Sequence, residues 1–211
     1  MEQPSTSDSK LGLLTVTSGL VAVVFFVLYL ILANRYAVDF LEIQLLQHNF
    51  FDESALTLVF NHLFILFATI FSGFLWRYYK ATKSDSFQEA SAFYFFAYVI
   101  LLLRTFLFVF NPESFPYILA AGLQILITLI AMLFFLISFL NNRRYYFLAF
   151  LMAVNMMMYL ASVIYSVFTA EFILPNFGSI LSAVFNISFL TLFTLVQIRR
   201  EKKVFTHPHI S

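Results

Sequence analysis

Tyr117 to Leu140 reads YILAAGLQILITLIAMLFFLISFL, an unbroken apolar run with no Asp, Glu, Lys or Arg. A helix needs about 20 mostly apolar residues to cross a bilayer, and this run is long enough. A strand of a membrane β-barrel would instead alternate over about ten residues. Five further runs flank it: Leu11 to Leu32, Ala55 to Trp76, Ala90 to Phe110, Tyr145 to Phe168, and Phe177 to Ile198. Of the six, only the run from Ala90 to Phe110 holds a charged residue, Arg104. The expected fold is all-α, an integral membrane bundle of six helices joined by short loops.

The whole chain carries the same message. Of its 211 residues 62% are hydrophobic and 11% charged, and the mean hydropathy is +0.89. A soluble domain is roughly 45–50% apolar and about 25% charged. One soluble core cannot hide this excess, so much of the apolar surface must face lipid. The absence of cysteine rules out a disulfide scaffold, Cys-ligated zinc, Fe–S clusters and thiol catalysis. A net charge of +1 gives no basis for nucleic-acid binding.

Basic residues orient the chain. With the N-terminus cytoplasmic, the inner segments hold Lys10, then Arg77, Lys80 and Lys83, then Arg143 and Arg144, then Arg199, Arg200, Lys202 and Lys203, which is ten of the twelve Lys and Arg. The outer segments carry Asp39, Glu42, Asp52, Glu53, Glu113 and Glu171. Both termini are therefore expected inside. Residues 1–10 are expected to be disordered, 11–198 to form one membrane domain, and 199–211 to be a basic cytoplasmic tail. The first run is longer than the apolar part of a signal peptide and lacks a basic lead, so it reads as an uncleaved anchor. Trp76, Tyr78, Tyr79, Tyr117, Tyr145 and Tyr146 stand at span ends, where an aromatic belt is expected.

The longest outer segment, residues 35–54, reads RYAVDFLEIQLLQHNFFDES. Its spacing of apolar residues suits an amphipathic helix on the membrane surface or, alternatively, a partner-binding helix. FNPESFP at Phe110 to Pro116 and FTAEFILP at Phe168 to Pro175 place both Phe110 and Phe168, and both Glu113 and Glu171, 58 residues apart. This pattern reads either as duplicated helical hairpins or as the ordinary edges of any short-looped bundle.

Polar side chains inside a bilayer are costly and usually face the bundle interior. The candidates are Asn61, His62, Arg104, Gln124, Asn155 and Asn186. His62 and Gln124 are seven residues from the outer ends of their spans and Arg104 is six, so all three are expected about 9–11 Å below the outer edge. Asn155 and Asn186 are expected nearer the middle. One reading is an outward-opening pocket in which Arg104 meets a small anion. The other has Arg104 extending outward toward Glu113 or Glu171, with the amides joining helices. His62 alone makes no metal site, and no metal or cofactor is expected. HExxH, GxSxG and phosphate-loop motifs are missing, and no pair of carboxylates lies within a span. Gly178 with Ser182, Ser179 with Ala183, and Ala149 with Ala153 offer small faces for close packing.

FLWRYYKATKSDSFQEASAFYFFAYVILLLRTFLFVF, Phe74 to Phe110, leaves one helix through basic and aromatic residues and re-enters through a Lys/Thr/Ser turn. LISFLNNRRYYFLAFLMAV, Leu136 to Val154, follows a similar course. These hairpins resemble multipass membrane sensor modules at the front of prokaryotic signalling proteins. The resemblance spans about half the chain, and no output domain is expected after Arg199. It implies a non-enzymatic sensor-like or accessory, regulatory subunit acting through a protein partner or a second copy, and the lack of cysteine with the positive-inside balance fits a prokaryotic plasma membrane. The alternative is a small transporter or substrate-binding subunit built around Arg104. A lipid-modifying enzyme would need a reactive polar cluster, for which the motifs are lacking. Besides a protein partner, membrane lipids and a small anionic ligand are the expected partners.

Overall fold

The computed structural model describes residues 6–35, 53–110, 115–168 and 177–206. They form six helices: α1 (Thr6–Arg35), α2 (Glu53–Ala81), α3 (Asp85–Phe110), α4 (Phe115–Leu140), α5 (Tyr146–Phe168) and α6 (Phe177–Thr206). A single 3-10 turn, Arg143–Tyr145, leads into α5. All six are long and apolar enough to cross a membrane. The chain is thus a helical-bundle multipass membrane protein. Each helix closes its backbone hydrogen bonds on itself, as passage through hydrocarbon demands.

Several helices outrun the spans read from hydropathy. α1 starts at Thr6, inside the segment expected to be a disordered tail, and α6 runs to Thr206, inside the expected basic tail. A long apolar helix supplies the nucleus, and each added polar residue then needs only one more bond. Of the outer segment 35–54, Arg35 closes α1 and Glu53 and Ser54 open α2; the rest lies outside the described residues. Glu113 and Glu171 of the repeated sequence also lie outside them, although α3 ends at Phe110 and α5 at Phe168.

Every consecutive pair of helices packs together, and α6 returns to α1, closing a ring. Side-chain contacts give the directions. Gly12 of α1 lies against Tyr78 of α2 and Ile198 of α6, while Gly19 lies against Phe71 and Thr191. The numbers rise along α1 as they fall along both neighbours, so α1 is antiparallel to each. Phe87 and Phe93 of α3 meet Phe139 and Phe134 of α4 in the same reversed order. An even number of alternating helices is what permits such a ring to close with antiparallel neighbours throughout.

The turns follow from local chemistry. At the end of α2, Lys83 adopts φ 52°. Its N–H donates to the Lys80 carbonyl at 3.3 Å, and the Ser84 N–H reaches the Tyr79 carbonyl at 3.2 Å. This is a Schellman closure with lysine where glycine is usual. After α4, the Asn142 side chain accepts from the Arg144 N–H at 3.1 Å and starts the 3-10 turn. Arg77, Lys80, Lys83, Arg143 and Arg144, all exposed, gather at the end of the bundle that holds these two turns. We call it the basic end.

The interior near the basic end is filled with aromatic rings. Phe139 of α4 is fully buried. It packs against Phe87 of α3, Tyr145 of the turn, and Phe189 and Phe193 of α6, with centroids 5.0–6.2 Å away. Tyr79 of α2 stacks on Phe87 at 5.2 Å, and its hydroxyl donates across the ring to Gln197 Oε1 of α6 at 3.3 Å. Tyr78, Tyr79 and Tyr117, expected in an interfacial belt, are instead buried in the bundle. The Tyr78 and Tyr79 rings make offset and edge contacts with other rings, and the Tyr117 ring faces the Arg104 guanidinium, instead of the headgroup zone. Of the six span-end aromatics, Tyr146 alone is exposed. The lipid-facing surface is carried by residues such as Leu13, Leu20, Phe96, Phe147 and Phe150.

Candidate functional site

Most interior hydroxyls are satisfied within their own helices. Thr15, Thr69, Ser91, Thr128, Ser138 and Thr194 each donate to the carbonyl four residues earlier, at 2.7–2.8 Å. A hydroxyl so engaged is a helix-bound donor, and none of these is set against a base as a nucleophile would be. The chemistry of the interior therefore rests with the amides, the tyrosines and Arg104.

Arg104 is 5% exposed and projects from α3 toward α4. Its Nη1 donates to Gln124 Oε1 at 3.1 Å, and its guanidinium carbon stands 4.8 Å from the centre of the Tyr117 ring. Tyr117 and Gln124 are seven residues apart on α4 and so share a face. One cation is thereby held by a ring and an amide of the same neighbouring helix. A desolvated cation over an aromatic face gains about 2 kcal/mol, which offsets part of the cost of burial.

Below Arg104 the polar face continues. Thr128 lies one turn beyond Gln124, and Tyr159 of α5 interacts through its hydroxyl with Thr128. On α3, the hydroxyls of Tyr94 and Tyr98 are 3.3 Å apart. These tyrosines are buried. They carry the polar lining from Arg104 toward the middle of the bundle, where the Tyr94 ring meets Phe135 edge-on at 6.0 Å and the aromatic filling begins.

Asn155 of α5 and Asn186 of α6 form the second group, each 2% exposed. Asn155 Nδ2 donates to Asn186 Oδ1 at 2.8 Å and approaches the Ser182 carbonyl at 3.5 Å. Ser182, one turn from Asn186, has a fully buried side chain. Asn155 Oδ1, Asn186 Nδ2 and Ser182 Oγ are buried without a hydrogen-bond partner among the described residues. Each such atom costs about 1–3 kcal/mol. Asn155 is about one helical turn from the level of Thr128, since Tyr159 marks that level and lies four residues on.

Asn61 and His62 form the third group. They are half-buried on α2, next to Phe60, whose ring packs on Phe25 of α1 at 5.9 Å. The reversed register of α2 and α3, with Tyr79 on Phe87 and Thr69 Oγ1 reaching the Tyr98 carbonyl at 3.4 Å, brings the level of His62 close to that of Arg104. The six sequence candidates thus resolve into an α3–α4 pair, an α5–α6 pair and an α2 pair.

By sequence alone Ser182 is a packing residue and Tyr117 an interfacial one, and none of Tyr94, Tyr98, Thr128 or Tyr159 stands out. A signal was present: Tyr159 follows Asn155 by four, Thr128 follows Gln124 by four, and Tyr94 and Tyr98 are themselves four apart, so each continues a polar helix face. The seam of α1 was also unmarked. Gly12 and Gly19 are seven apart and admit Ile198 and Thr191 of α6 so closely that a Cβ at Gly19 would collide with the Thr191 hydroxyl. Among the described residues no group of three His, Cys, Asp or Glu is placed to hold a metal ion. Compared with known protein families, curated proteins and solved structures, the chain has no match in any of the three.

Proposed function

We propose that the protein is a non-enzymatic, sensor-like or accessory subunit of a membrane complex, with its basic end at the cytoplasmic face and a prokaryotic plasma membrane as its setting. The observation that carries this reading is the way the polar residues are distributed. Arg104 with Gln124 joins α3 to α4, Asn155 with Asn186 joins α5 to α6, and Tyr79 with Gln197 joins α2 to α6. Catalysis needs an acid, a base or nucleophile and an electrophilic stabiliser converging on one reacting atom. Here the polar side chains meet mainly in ties between helices. Such ties set helix positions, and helix displacement is the means by which a membrane subunit passes a state to its partner.

A second reading has its own support. The buried guanidinium of Arg104 heads a polar lining that descends toward the bundle centre over an aromatic floor. A small amphiphilic anion suits that combination, with its charge at Arg104 and its apolar part on the rings. This is the substrate-binding or transporter alternative.

Native mass spectrometry of the protein released gently from its own membrane separates the two. A stoichiometric protein partner, with Arg104→Ala weakening assembly, is the expected result. A lone chain that retains a small anion, lost in a well-folded Arg104→Ala variant, overturns it in favour of the second reading.

A further inference from the structure

The α5–α6 contact holds more polar capacity than its helices use. Asn155 and Asn186 share one side-chain hydrogen bond at 2.8 Å. That leaves one amide oxygen, one amide nitrogen and the Ser182 hydroxyl, all buried and unpartnered among the described residues. Buried polar groups in native proteins are satisfied by protein or by a bound molecule, so the unused atoms define what completes the site.

Their chemistry is specific. Asn155 Oδ1 only accepts and Asn186 Nδ2 only donates. Turning both carboxamides over exchanges the roles but still leaves one free donor and one free acceptor, so the requirement does not depend on amide assignment. An anion would satisfy the nitrogen and repel the oxygen. A cation would do the reverse. One neutral hydroxyl serves both, donating its hydrogen to the amide oxygen while its lone pair accepts from the amide nitrogen. The Ser182 hydroxyl, one turn away on α6, can take either role toward the same group. The site is enclosed by the bundle, although α5 buries the smallest share of its span among the six membrane-length helices.

We infer that Asn155, Asn186 and Ser182 form an intramembrane binding site for a single neutral hydroxyl group, supplied by an ordered water or by a membrane-soluble alcohol. The site is independent of the Arg104 group and of whether a partner protein exists.

The test is NMR of the wild-type chain with asparagine labelled with nitrogen-15 and carbon-13. The micelles are of a phosphocholine detergent, which carries no hydroxyl. The Asn186 side-chain NH2 is expected to show cross-relaxation to a long-lived water. If monoolein displaces that water, the cross-peak moves to the glycerol protons of the added lipid. The first pattern assigns water, the second assigns an alcohol, and either upholds the site. Oleate, the charged counterpart of similar chain length, is expected to give no cross-peak. A cross-peak to oleate would overturn the neutral-hydroxyl chemistry. A wild-type Asn186 NH2 coupled directly to the Asn155 carbonyl carbon, with no cross-peak to water or monoolein, would show a closed amide pair and overturn the site altogether.

Discussion

The two halves of the bundle are held together differently. Toward the basic end, rings from α2, α3, α4 and α6 interlock around Phe139. Toward the other end, rings of α1 and α2 still meet, Phe25 with Phe60 and Phe26 with Phe64, but the interior between α3, α4, α5 and α6 is lined by Arg104, Gln124, Tyr98, Tyr159, Asn155 and Asn186, with Arg104 bonded to Gln124 and Asn155 to Asn186. In water the aromatic half would hold by hydrophobic burial. In lipid that force is absent between helices, because acyl chains are as apolar as the side chains they replace. The aromatic half must instead rely on shape and dispersion, which reward close packing and tolerate no gaps. The polar half relies on directional bonds, which specify partners and leave unused atoms where geometry falls short. One region is an aromatic plug and the other a polar lining.

The largest effect should come from breaking the plug. Phe139→Ala removes a fully buried ring that touches α3, α6 and the α4–α5 turn, and it should cost about 3 kcal/mol. Thermal unfolding in detergent measures it. Phe150→Ala, on a residue 63% exposed toward lipid, should change stability by less than about 0.5 kcal/mol. Equal losses at the two positions would mean that the rings serve bulk apolarity rather than interlock.

The glycine seam should respond next. Gly19→Val pushes α1 away from Thr191 and Phe71, at a cost of about 2 kcal/mol. Gly122→Ala on α4, where an added Cβ meets nothing within 4 Å, should instead stabilise by up to about 1 kcal/mol. Denaturation of the two variants side by side gives the contrast, and a Gly19→Val protein as stable as wild type would remove α6 from the face of α1.

Within the polar half, Asn155→Leu strands the Asn186 amide and should cost about 1–2 kcal/mol. Adding Asn186→Leu should restore most of it, with a coupling of about 0.6–1.7 kcal/mol in a double-mutant cycle. Additive losses would mean that the two amides act separately. A small gain is expected at the α2–α3 turn. Lys83→Gly relieves a left-handed residue at φ 52° and should raise stability by up to about 1 kcal/mol. A loss there would show that Lys83 contributes through its side chain.

Much of the fold is legible in the residues alone. Runs such as Tyr117 to Leu140 declare membrane helices because hydrocarbon accepts little else. Short connections such as Asn141 to Arg144 make successive helices antiparallel neighbours. The polar residues with a reason to face inward, Arg104, Gln124, Asn155 and Asn186, can be picked out because burying them in lipid would be costly. Which of them meet is a different matter. That Arg104 bonds Gln124, that Asn155 finds Asn186, that Gly19 receives Thr191 and that Tyr78 and Tyr79 turn inward all depend on helix rotation. A soluble helix announces its inner face by an apolar stripe. In a bilayer both faces of a helix are largely apolar, so beyond a few polar positions the pattern says little about rotation, and the packing of all six helices around one ring selects it.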